Sequence, residues 1–270
     1  MKSLTKILIL SFLITCLLIP GMDAASSTAG VSSAPADTTG TPPQEVSVYI
    51  MEAKDAVAAT NWTGALLITT RGVAWYPENA DLLCLQGYAY RKVGQYQKSV
   101  DIVSRAIPLD PKPVRYANRG YGYLALGNNF LALADADAGI ALDATYPATW
   151  GVKALALQGM ERNAEALGAI DEALRLAPES AHYWHVKGRI LASGGNCTGA
   201  AAALEKSLAL DAGYVLPYPG FGSASEDLAS LNFTCSAAQA SSPQATAKSP
   251  LGWLAVVGVI GAVIATGMRR

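Results

Sequence analysis

The segment 80–111, ADLLCLQGYAYRKVGQYQKSVDIVSRAIPLDP, constrains the fold of this 270-residue chain more than any other stretch, because it recurs. It reads as two amphipathic helices joined by Val93-Gly94-Gln95 and closed by Pro111. Gly87 and Tyr90 share one face of the first helix. Ser99, Val103 and Ala106 share one face of the second, at the three- and four-residue spacing that makes side chains neighbours on a helix. The Gly87 position returns as Gly120, Ala154 and Gly188, at steps of 33, 34 and 34, while Pro77, Pro111 and Pro178 close successive units. A period of this length predicts a solenoid, since a lone helix pair cannot bury its apolar face and must stack on the next pair.

Small residues at the helix contacts, a proline at the exit and this spacing resemble the tetratricopeptide repeat. The resemblance covers about 170 residues and implies an all-α, right-handed superhelical solenoid of about five units, at 46–79, 80–112, 113–146, 147–180 and 181–214. The first unit carries Tyr49, Ala53 and Ala56, then the turn Asn61-Trp62-Thr63, and is the weakest match, as suits a capping repeat. The third has Ala144 where proline is expected. Trp150 and Trp184, 34 apart on matching faces, are expected to pack between helices. Asp135, Asp137 and Asp143 are expected on an outward, solvated second-helix face.

Both ends differ in kind. Lys2 and Lys6, an apolar run from Ile7 to Ile19 and the exit Asp23-Ala24-Ala25 read as a secretory signal over 1–24. The Ser-, Thr- and Pro-rich leader 25–45 has too little apolar surface to fold. The uncharged, mostly apolar run 251–268 is long enough to cross the hydrocarbon core, with Arg269 and Arg270 as a cytoplasmic tail. Between array and anchor come a capping loop with a short helix, 215–235, and a flexible stalk, 236–250. The layout predicts a single-pass protein of the cell membrane whose amino-terminal domain faces outward, similar to surface tetratricopeptide proteins of archaea or bacteria.

Twenty basic and twenty-one acidic residues leave a net charge of -1, without the clustered cations that a nucleic-acid surface needs. No GxSxG, HExxH or paired Cys-x-x-Cys is present, so the expectation is a non-enzymatic protein without cofactor or metal. His182 and His185, three apart on one helix face, lack the further ligands a metal site requires.

In tetratricopeptide proteins the first helices line a concave groove that holds peptides. Carried over by repeat phase, the resemblance implies groove positions Asp81, Cys84, Tyr88 and Arg91, then Tyr121 and Leu124, then Leu155 and Gln158, and finally His182, His185 and Arg189. Tyr88 and Tyr121 are open to a second reading, as packing between repeats. The expected partner is an extracytoplasmic protein or extended peptide, with self-association through the array as the alternative. Cys84 is expected to be a free apolar residue. Cys197 and Cys235 are expected to pair outside the cytoplasm and clasp the capping segment to the fifth unit. Asn61, Asn196 and Asn232 stand in glycosylation sequons, the first two in the same inter-helix turn of their units.

Overall fold

The computed structural model describes residues 40, 42–216 and 222–231. Eleven α-helices, and no strand, occur among the described residues. They run in antiparallel pairs: α1 (Val46–Ala58) and α2 (Trp62–Trp75), α3 (Ala80–Lys92) and α4 (Tyr96–Leu109), α5 (Pro113–Ala125) and α6 (Asn129–Leu142), α7 (Pro147–Gly159) and α8 (Asn163–Leu176), α9 (Ala181–Ser193) and α10 (Cys197–Leu210). A short α11 covers 224–231. Each first helix packs on its own second helix and on the first helix of the next pair, the arrangement of a helical solenoid.

One turn chemistry closes all five first helices. The amide of the residue at the start of the second helix reaches back five residues: Asn61 to Ala56, Gln95 to Tyr90, Asn128 to Tyr123, Arg162 to Leu157 and Asn196 to Leu191, at 2.8–2.9 Å. That bond belongs to a Schellman-type ending, which places one residue in the left-handed region. The residue is Gly94, Gly127 or Gly195 in three turns, but Thr60 and Glu161 in the other two. The next residue then caps the second helix. Asn61, Asn128 and Asn196 each accept a bond from the backbone amide three residues on, satisfying a donor the helix leaves open.

The helices of a pair approach closely because one of them carries no side chain at the crossing. A Cβ on Gly87 would run into Val103 Cγ2, and one on Gly188 would lie 2.7 Å from Leu204 Cγ. Between pairs a ladder of polar bonds repeats in register. Ser104, Asp137 and Asp171 on second helices bind Arg119, Lys153 and Lys187 on the following first helices. Those cations lie 5.5–5.9 Å from the ring centres of Tyr116, Trp150 and Trp184. The indole N–H groups donate at 2.8 Å to Ala144 O and Pro178 O in the loops between pairs. The two tryptophans therefore pack between repeats, as expected.

Asp135 corrects the expectation of a solvated acidic face. It is only 4% exposed, and both its oxygens accept from Arg119, at 2.6 and 2.9 Å. The second helix turns it inward against Arg119 of its own pair. Asp137 is exposed and engaged in the ladder, and Asp143 closes its own turn by accepting from Thr145.

The end of the array is sealed by α11, whose Ala224 and Leu231 join Ala200 and Leu204 in an apolar cluster. A capping box starts that helix: Ser223 Oγ accepts from the Glu226 amide, and Glu226 Oε2 accepts from the Ser223 amide. The short helix expected within 215–235 is thus capped by Ser223. No helix among the described residues is long and apolar enough to cross a membrane. The signal 1–24, the stalk 236–250, the span 251–268, Asn232 and Cys235 lie outside the described residues.

Candidate peptide-binding groove

The positions assigned to the groove fall on α3, α5, α7 and α9, and the structure divides them into three groups. Asp81 is a tether between units. Its carboxylate accepts from Arg115 Nη2 at 2.6 Å, and that fully buried guanidinium also donates to Ala80 O and Asp110 O. Cys84 is free and buried. Its sulfur accepts from Asn118 at 3.3 Å, and burial pushes its thiol pKa up.

A second group fills the centre of the face with aromatic rings. Arg91 is buried, with its guanidinium carbon 5.0 Å from the ring centre of Tyr88 and 5.1 Å from that of Tyr121. Tyr121 OH and Tyr214 OH lie 3.4 and 2.8 Å from the two ring nitrogens of His182. A neutral imidazole suits this pair of partners, donating from one nitrogen and accepting at the other. Although His182 keeps some surface as a residue, its ring is enclosed by Tyr121, Tyr183 and Tyr214. That burial, reinforced by Arg91, His185 and Lys92, lowers its pKa to about 3. Burial also raises the phenols of Tyr146, Tyr183 and Tyr214. Gly151 makes room for this layer, since a Cβ there would meet Tyr183 Cε1 and Tyr121 OH within 3 Å.

The chain's own carboxyl-terminal segment occupies the face at α9. His185 is fully buried, and its Nε2 lies 2.7 Å from Asp227 Oδ2. Burial lowers its pKa against the opposing pull of Asp227. Arg189 donates to both oxygens of the same carboxylate, at 2.8 and 2.9 Å. Leu216 belongs to the main apolar cluster, which also includes Tyr121, Leu155 and Tyr183. Tyr214, Leu216 and Asp227 were not singled out by sequence reasoning. The Ser223-x-x-Glu226 capping box was the sequence sign of where the helix in this segment starts.

The third group is open. Leu124, Leu155, Gln158 and Arg189, from the three successive first helices α5, α7 and α9, line a cavity of about 300 Å³ with Asn129 and Ser193. This is where residues assigned from repeat phase meet at one solvent-facing site. Its chemistry is two leucines, an amide and a cation, with no nucleophile–base pair. Among the described residues no group of three or more His, Cys, Asp or Glu side chains could hold a metal.

Of the modification sites, Asn61 and Asn196 are exposed and serve as helix caps. Cys197 is disulfide-bonded, and its partner lies outside the described residues.

Two stretches match models of the tetratricopeptide repeat, residues 80–113 and 152–215. Among solved structures, TTC0263, a thermophilic TPR protein of Thermus thermophilus, superposes with a TM-score of 0.58 at 14% identity, over 73% of this chain and 100% of that one. MamA from Desulfovibrio magneticus RS-1, from position 41 to its end, gives 0.51 at 20% identity, over 64% of this chain and 98% of that one. At these identities the likeness is one of fold. No curated protein matches the sequence. The helix pairs, their shared turn and the two matched stretches lead to one conclusion: the chain carries tetratricopeptide repeats.

Proposed function

We propose that this chain is a non-enzymatic scaffold at the cell surface, a right-handed superhelical array that binds another protein or an extended peptide on its concave face. In this reading the signal 1–24 exports the array, and the apolar run 251–268 anchors it with its repeats outside the cytoplasm. The observation that supports the binding role is the open cavity at Leu124, Leu155, Gln158 and Arg189. Apolar walls with a few polar groups suit the alternate side chains of an extended segment. Co-purification with the full-length protein tests it. Leu124→Arg, which puts a charge into the cavity wall at a partly buried position, is expected to lose the partners that the wild type retains. Undiminished capture would move the binding surface elsewhere. The location is tested separately by protease treatment of intact cells, which should remove the repeats and spare a tag placed after Arg270.

One observation favours self-association as a second reading. Leu126, Phe130 and Leu131 are exposed on the edge formed by the inter-helix turns, with Phe130 at 73%. Leu126 and Phe130 border a cavity that also includes Met160. Sedimentation of the full-length protein over a concentration series separates the readings: a dimer abolished by Phe130→Ser supports the second, and a monomer throughout removes it.

A further inference from the structure

Arg91 and Lys92 stand apart from the other cations of the array. Arg115, Arg119, Lys153, Lys187 and Arg189, all drawn in from full exposure, each have a carboxylate beside them at 2.6–2.8 Å. Among the described residues no carboxylate pairs with Arg91 or Lys92. Arg91 is 6% exposed, and its Nε is buried without a hydrogen-bond partner. Lys92 Nζ lies 5.2 Å from the ring centre of Trp62 and 5.6 Å from that of Tyr88. Burial and the adjacent Arg91 both depress its pKa. Two neighbouring cations are thus held in an aromatic recess. Cation–π contact offsets only part of the cost of removing a charge from water. The chain has little to offer in cis, since outside the described residues its only acids are Asp23 and Asp37.

We infer that Arg91 and Lys92 form a seat for a carboxylate carried by an acidic, extended peptide lying along the first helices. Trp62, Tyr88 and Tyr121 wall the seat. They fix the guanidinium plane and lower the local dielectric, so a charge-assisted bond formed there is strong. A peptide, and not a small anion, is favoured by register. Arg91, Leu124 and Gln158 hold equivalent positions in successive first helices, so a segment crossing the open cavity passes the seat one repeat further on. The inference rests on the concave face being the binding face.

The test uses full-length protein with three probes: hexaglutamate, hexaglutamine and inorganic phosphate. Titration calorimetry gives affinity, and the fluorescence of Trp62, assigned with Trp62→Phe, reports occupancy of the recess. Hexaglutamate is expected to bind at least tenfold tighter than hexaglutamine and to weaken with added salt. Arg91→Met should lose tenfold or more, Arg91→Lys should recover part, and Lys92→Gln, a change at a half-exposed position, should reduce the salt dependence. Equal binding of the two peptides, or an unchanged affinity in both Arg91→Met and Lys92→Gln, overturns the seat. Phosphate binding with the same Arg91 dependence and no peptide preference overturns the peptide assignment. Should hexaglutamate fail while Leu124→Arg still abolishes partner capture, the seat alone is wrong. If both fail, the binding face is wrong as well.

Discussion

Replacing Thr60 or Glu161 with glycine should stabilise the array, and both together should do so additively. Both residues have positive φ, 55° and 61°, at the turn position where the other three units have glycine at 75–79°. An L-residue in the left-handed region costs roughly 1–2 kcal/mol, while glycine gives back about 0.5–1 kcal/mol through its greater freedom in the unfolded chain. The net gain is about 0.5–1 kcal/mol per site, larger at Thr60 because its β-branch crowds the backbone. Both residues are exposed, and neither side chain forms a hydrogen bond among the described residues, so little is lost in exchange. The sites lie in the first and fourth units, far enough apart to add. The double variant should therefore melt about 2–8 °C higher, given about 2–4 °C per kcal/mol for domains of this size. Urea denaturation supplies the assay, with Gly94→Ala as the reverse control, expected to lose about 1 kcal/mol. Two glycine variants no more stable than the wild type, beside a destabilised Gly94→Ala, would refute the claim that the turn strains its non-glycine residues.

Three further outcomes are expected. The folded pKa of His182, about 3, lies below its unfolded value of about 6.5, so the unfolded chain binds the proton first. Stability from the neutral ring is complete above pH 6.5 and is lost as pH falls toward 3, by about 2 kcal/mol at pH 5. In urea titrations His182→Asn should flatten that slope. Asn128→Ala should cost about 1 kcal/mol by removing the cap on α6 while Asn128→Ser costs far less, as read from the shift in urea midpoint. If Cys197 pairs with Cys235, non-reducing digestion will yield the joined peptides, and reduction will lower the melting temperature, the closed loop of about 38 residues contributing about 4 kcal/mol.

The repeat was legible because helix crossings impose rules one residue deep. Gly87 and Gly188 must lack a Cβ to clear Val103 and Leu204, and this returns at a fixed period in the sequence. Which polar residues meet across units was not legible, because those contacts join positions about 16 or 34 residues apart by superhelical geometry. Lys153 finds Asp137 in this way, and Arg115 finds Asp81. The sequons show a different limit. Asn128 stands at the turn position of Asn61 and Asn196, caps its helix in the same manner and has no Thr two residues on. Capping alone is therefore reason enough for asparagine there, whatever a glycan adds. Asp227 left no periodic trace, since it lies past the last repeat and acts on it from outside the pattern.

The same geometry explains why the assigned groove residues divide. Tyr88 and Tyr121 place large rings at the middle of the first helices, and Tyr214 returns from the carboxyl-terminal side to meet His182. Filled this way, the centre of the concave face is core. One turn further along, Leu124 on α5 and Gln158 on α7 escape it around the open cavity, while Arg91 at the same register of α3 stays buried against Tyr88 and Tyr121. At α9 that row ends against Asp227, which already holds Arg189. A ligand on this face is thus confined to the row from Arg91 to Gln158 unless it carries an acid able to replace Asp227. Asp227→Asn should tell these apart, since an acidic ligand that competes for Arg189 will bind the variant more tightly, and one that stops at Gln158 will not.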